Sequence, residues 1–89
     1  MTKRELKIVN EKGLHARASA KLVEVVEQFD ASCDVTKDGQ FASGDSIMGL
    51  LMLAASKGTF IKIETTGSQA DALADALEAL VANKFGEKA

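Results

Sequence analysis

The stretch NEKGLHARASAK, Asn10–Lys21, separates two hydrophobic rhythms. Before it, Arg4 to Val9 alternates charged residues with Leu6 and Ile8, which suits a half-buried strand. After it, Leu22, Val25, Val26 and Phe29 recur at helical spacing, with Arg17, Lys21, Glu24 and Gln28 on the opposite side. Glu11-Lys12-Gly13 is the loop between them, and the helix begins in the alanine-rich segment that follows. The helix start itself is unusual. Such ends prefer Ser, Thr, Asp or Asn, whose side chains accept from free backbone N–H groups, and they disfavour positive charge in the first turn. Here the chain places its single histidine, His15, at the cap position and Arg17 two residues later.

Working outward, SCDVTKDGQFAS (Ser32–Ser43) reads as a hairpin. Asp38-Gly39 is a two-residue type I′ turn signal, because both central positions need positive φ. Cys33 and Val35 alternate with polar residues on one arm and Phe41 lies on the other. GDSIMGLLMLAASKG (Gly44–Gly58) predicts a short helix capped by Ser46, with Gly58 just past its end. TFIKIETT (Thr59–Thr66) is a fourth strand, Ile61 and Ile63 on one face and Lys62 and Glu64 on the other. GSQADALADALEALVANKFG (Gly67–Gly86) opens with Ser68 and Asp71 near capping-box spacing and carries Leu73, Leu77, Leu80 and Val81 on one stripe. Its exposed side, Asp71, Asp75 and Glu78, reads as a solvated face. The order strand, helix, strand, strand, helix, strand, helix predicts an α+β two-layer sandwich, helices on one side of an antiparallel or mixed sheet.

The 89 residues make one domain, 1–89. A net charge of −2 and the absence of Trp and Tyr argue against nucleic-acid binding. One cysteine, Cys33, allows no intrachain disulfide and points to a reducing compartment; it reads as core rather than reactive. A lone Cys and a lone His do not build the usual zinc site, so neither metal nor cofactor is expected. With no signal-peptide pattern and no long apolar run, the expected location is the cytoplasm, away from membranes. The scattered Phe29, Phe41, Phe60 and Phe85 are expected to be packing residues.

Two segments carry chemistry. A helix N-terminus offers unpaired N–H groups and a partial positive charge, a natural anion site that also favours a neutral, nucleophilic imidazole. Arg17 becomes sensible there once an anion is bound, since a guanidinium forks two hydrogen bonds onto oxyanions. A surface histidine beside a solvated arginine would leave both departures from helix-end preference unexplained; one anion held at His15 explains both. With no metal ligands, general base or phosphate-binding glycine loop, His15 suits accepting and passing on a phosphoryl group rather than autonomous turnover. In the second segment, Ile47, Met48, Leu50, Leu51, Met52 and Leu53 wrap around more than one helix face. A short helix cannot bury them all, so the segment is either core or, with exposed flexible methionines, a docking patch.

GLHARASA together with GDSIMGLLMLAASKG some thirty residues later, in this element order, resembles the histidine-containing phosphocarrier (HPr) family of the bacterial phosphoenolpyruvate-dependent phosphotransferase system. The likeness covers nearly the whole chain. It implies an open-faced sandwich, a four-stranded antiparallel sheet covered on one side by three helices. It also implies phosphoryl acceptance at His15 on the δ1 nitrogen, phosphate contact by Arg17, regulatory phosphorylation at Ser46, and docking through Ala16, Ala20, Ile47, Met48 and Leu51. The implied partners are enzyme I, an EIIA-type acceptor domain and an HPr kinase/phosphorylase; a carrier that presents one face to several partners is expected to be a monomer. Ala18 stands where the family usually has proline, and a little more freedom at the helix start is expected. Asp45 stands where lysine or asparagine is common; its carboxylate competes as a cap and would repel a phosphate on Ser46. The LLMLAASKG run is closer to the nitrogen-regulatory branch than to the sugar-uptake branch. The rival of another class is a non-catalytic regulatory module of that nitrogen-related branch, binding a protein through Ile47–Leu53 with His15 incidental.

Overall fold

A computed structural model describes residues 1–89. The chain forms β1 (Thr2–Lys7), α1 (Ala16–Glu27), β2 (Ser32–Lys37), β3 (Gln40–Ser43), α2 (Ile47–Met52), β4 (Phe60–Thr66) and α3 (Ala70–Ala82), ending in a short 3-10 turn over Lys84–Gly86. The four strands make one sheet in the order β1-β4-β2-β3, and every neighbouring pair is antiparallel. Helices cover one face and the other is open, the sandwich expected above.

The alternation along each strand sets the layers. Leu6, Cys33, Val35, Ala42, Ile61 and Ile63 point inward and are buried. They meet Leu22, Val23 and Val26 of α1 and Leu73, Leu77 and Val81 of α3 in one core. The outward rows carry charges, with Lys3 opposite Glu64 and Glu5 opposite Lys62. Asp38 and Gly39 take positive φ (50° and 81°), so the hairpin turn forms as expected. Phe41 and Phe60, expected to be packing residues, instead stand exposed on the open face (66% and 52%), because their strand positions fall on its outward side.

Three elements depart from expectation at their ends. β1 starts and ends two residues early, yet Ile8 is buried and stays tied to the loop before β4 through Ile8 N–H to Thr59 O (2.8 Å) and Gly58 N–H to Ile8 O (2.7 Å). α2 stops at Met52 rather than near Gly58: Ala54 turns left-handed (φ 51°), while the Leu53 and Ala54 amides donate to the carbonyls of Leu50 and Leu51. Gly58 (φ 90°) serves the entry to β4 instead. α3 has no side-chain cap, since Ser68 Oγ donates across the loop to Asp30 Oδ2 (2.6 Å) and Asp71 accepts from the Thr2 hydroxyl. A tertiary partner outcompeted the local one. The α3 acidic side is also engaged, as Arg4 on β1 reaches Asp75 and Glu78, each at 2.7 Å. Both carboxylates hydrogen-bond the guanidinium and hold it still more firmly protonated, although exposed pairs like these add little stability.

The loop before α1 is pinned by a close approach. Leu14 N–H donates to Ala55 O (2.8 Å), and a Cβ on Gly13 (φ 64°) would lie 2.3 Å from that same oxygen. Only glycine fits there. Ala55, and through it the loop after α2, therefore sets where α1 begins.

Candidate functional site

His15 is the N-cap of α1 in extended conformation (φ −79°, ψ −176°); no side chain caps the helix, and its first turn holds no acidic residue. The backbone of His15 accepts the first helical bond from Ser19 N–H (2.8 Å), so the ring stands just ahead of amides left free for an anion. Arg17 lies exposed in the first turn and forms no hydrogen bond or ion pair within the protein. Ala18, at the position where proline was expected, is fully buried.

The tail supplies what the sequence reading missed. After α3, Lys84, Phe85 and Gly86 all take positive φ (56°, 55° and 79°) and swing the chain back toward α1. Phe85 is fully buried in the core, Lys21 Nζ donates to its carbonyl (2.7 Å), and Glu11 N–H donates to Ala89 O (3.1 Å). This places the Glu87 carboxylate on the imidazole: Oε2 pairs with His15 Nε2, while Oε1 accepts from Asn10 Nδ2 (3.0 Å). The bonds from His15 and then Asn10 hold the Glu87 carboxyl below the usual carboxylate range. The helix end sets a positive field at the ring, and the facing carboxylate is its counterpart. The sequence signal for it was the pattern Phe85-Gly86-Glu87, an aromatic anchor and a turn residue ahead of an acid.

The result is a surface cleft of about 410 Å³ that includes His15, Arg17 and Glu87 together with Lys12, Lys21 and Lys88. It gathers four cationic side chains against the two carboxylates of Glu11 and Glu87, and its one hydrophobic lining residue leaves no apolar ligand pocket. The chemistry this permits is capture of a small multivalent anion beside an imidazole.

The second predicted segment divides cleanly. Leu50 and Leu53 are core, while Ile47, Met48 and Met52 are exposed (40%, 69% and 76%) and Leu51 is half-buried. Ala16 is exposed and Ala20 half-buried on α1, against which α2 packs. Ser46 is the α2 cap, its Oγ accepting from Gly49 N–H (3.0 Å). Asp45 does not compete for that role, because it accepts from Ser43 Oγ (2.6 Å). Cys33 is buried, and desolvation followed by the charge of Asp34 pushes its thiol up to about 12. No helix is long and apolar enough to cross a membrane.

Known proteins resemble this chain along nearly its whole length. The family described as "PTS HPr component phosphorylation site" matches residues 2–83. Phosphocarrier protein HPr of Cupriavidus necator is 44% identical over 87 residues, covering 98% of each chain. Phosphocarrier protein NPr of Shewanella violacea is also 44% identical, over 89 residues and 98% of each chain, so identity alone does not separate the two names. The crystal structure of HPr-C-His from Thermoanaerobacter tengcongensis superimposes over the full length of both chains with a TM-score of 0.94 at 34% identity. With an uncapped histidine at the helix start, an open-faced sheet behind it and relatives matched end to end, the chain belongs to the HPr family of phosphocarrier proteins.

Proposed function

We propose that this chain carries phosphoryl groups, accepting one on His15 from phosphorylated enzyme I and passing it to an EIIA-type acceptor domain, with no turnover of its own. The observation that carries the reading is His15 as the uncapped start of α1, beside Arg17 and within a cation-lined cleft. The phosphoryl oxygens take the place of the missing cap, accepting from first-turn amides and from the Arg17 guanidinium. Because His15 is joined to the backbone at the cap position, the anion arrives already positioned, and the entropy of bringing the two together is met once, in docking. No cofactor or metal takes part. Ala16, Ala20, Ile47, Met48 and Leu51 form the surface that meets successive partners, adaptable because Met48 is flexible. A monomer presents this face to each partner in turn.

Ser46 is the regulatory site in this proposal. A phosphate there, at about −1.5 to −2 charge, would displace the cap to Gly49 and sit beside Asp45 and the exposed Ile47 and Met48. It would weaken docking by desolvation and like-charge repulsion while sparing the His15 chemistry. An HPr kinase/phosphorylase is the enzyme class that would install it.

The test is incubation with phosphoenolpyruvate and enzyme I. The expected product carries an acid-labile, base-stable phosphate that is absent from His15→Ala. No incorporation into the wild-type chain would overturn the reading in favour of a docking module that works through α2 alone.

A further inference from the structure

We propose that Glu87 is a positioning residue for phosphoryl transfer, fixing the imidazole so that Nδ1 is the nucleophile; the proposal rests on the phosphocarrier reading above. A carboxylate only accepts hydrogen bonds, so the nitrogen it meets must carry the proton. Glu87 Oε2 meets Nε2, and Nδ1 forms no hydrogen bond within the protein. In the neutral ring the free lone pair is therefore on Nδ1.

Glu87 is itself held from three directions. Its other oxygen accepts from Asn10, which is fully buried, and the carboxylate is only 15% exposed although it lies in the last residues of the chain. Asn10 spends both N–H groups, one on Gly13 O (2.8 Å) and one on Glu87, and leaves its own buried Oδ1 without a partner. The reverse orientation would set an oxygen against two acceptors. A buried unpaired oxygen is a cost that folds rarely carry, and here it accompanies an amide aimed at the carboxylate that aims the ring. Burial of Phe85 and the Lys21 bond to its carbonyl fix the far side of the tail.

In the step this geometry serves, the Nδ1 lone pair forms the new N–P bond as the bond from phosphorus to the donor's leaving atom breaks, and that electron pair leaves with the donor. No proton is released, because the Nε2 proton stays on the ring, hydrogen-bonded to Glu87, throughout. The ring becomes a phosphorylated imidazolium whose positive charge faces the carboxylate. Onward transfer reverses the events, the N–P pair returning to Nδ1.

Glu87→Ala and Glu87→Gln in the full chain test this, the second keeping an oxygen acceptor. In ¹H–¹⁵N spectra of the unphosphorylated protein, the wild type should show a His15 Nε2–H resonance protected from solvent. Glu87→Gln should retain it and Glu87→Ala lose it. With phosphoenolpyruvate and enzyme I, Glu87→Ala should slow transfer about tenfold at unchanged KM for enzyme I, with partial rescue in Glu87→Gln. Circular dichroism confirms that each variant is folded. Wild-type transfer rate in Glu87→Ala, or a protected Nε2–H in that variant, overturns the positioning role. Absence of phosphate uptake by the wild type is a separate result that overturns the carrier reading beneath it, and the two failures are told apart by which protein fails.

Discussion

Replacing Phe85 with alanine probes the contact that holds the tail over His15. A phenylalanine side chain buries on the order of 200 Å², about 5 kcal/mol at 25 cal/mol per Å², and about 3–4.5 kcal/mol once a compact unfolded chain is taken as reference. Against this stand Lys84 and Phe85, both non-glycine residues in the left-handed region, at about 1–2 kcal/mol each. In Phe85→Ala the burial is lost, but the tail can let go and relieve the backbone, so the loss is capped. The expected cost is about 2–3 kcal/mol, below the 3–5 kcal/mol usual for core Phe→Ala. For a domain of this size that lowers Tm by about 10–20 °C. With no Trp or Tyr in the chain, urea unfolding is followed by circular dichroism. The same ledger predicts that Lys84→Gly stabilises by about 1 kcal/mol, since glycine takes positive φ without penalty. A Phe85→Ala cost under about 1 kcal/mol, or destabilisation by Lys84→Gly, would refute the view that side-chain burial holds a strained turn in place.

Other outcomes follow from the same contacts. The Glu87 carboxyl titrates below its ordinary value of 4.5, so its contribution to stability is complete above that pH and is lost as pH falls through the lower folded value; amide exchange of residues 86–89 should rise in that window, and Glu87→Gln should flatten the dependence. Gly13→Ala forces a Cβ within 2.3 Å of Ala55 O at φ 64°, and should cost about 2–4 kcal/mol in urea unfolding, whereas a neutral outcome would refute the pinned loop. Ser46→Ala removes the α2 cap and should cost about 1 kcal/mol by the same assay. Cys33, buried with its thiol raised to about 12, should resist iodoacetamide in the folded protein and react on unfolding; rapid native labelling would contradict its placement.

How much was readable in advance varied with the range of the interaction. His15 at an uncapped helix start and the Asp38-Gly39 turn were legible because cap and turn preferences act over a few residues. Ser46 as cap of α2 was legible for the same reason. The Ser68–Asp71 capping box failed because Asp30, distant in sequence, offered Ser68 a better partner. The end of α2 failed because Leu-Met-Leu-Ala-Ala carries helix propensity past the point where Ala54 turns, and Ala55 is needed against Gly13. Phe41 and Phe60 were misplaced because hydrophobic character was read as burial, whereas strand alternation puts Phe60 on the side of Lys62 and Phe41 on the side opposite buried Ala42.

From its sequence alone this protein had its element order, its sandwich class and its candidate histidine at an uncapped helix start, because periodicity, turn chemistry and the conflict at a helix start are local properties of the chain. Tertiary structure decided what faces that histidine. Glu87 lies 72 residues from His15, and it arrives there through a turn in which Lys84 and Phe85 are left-handed against their local preference and which the burial of Phe85 sustains. A contact of that kind is set by the path of the whole chain, since only the packed core determines where the tail after α3 must cross the start of α1.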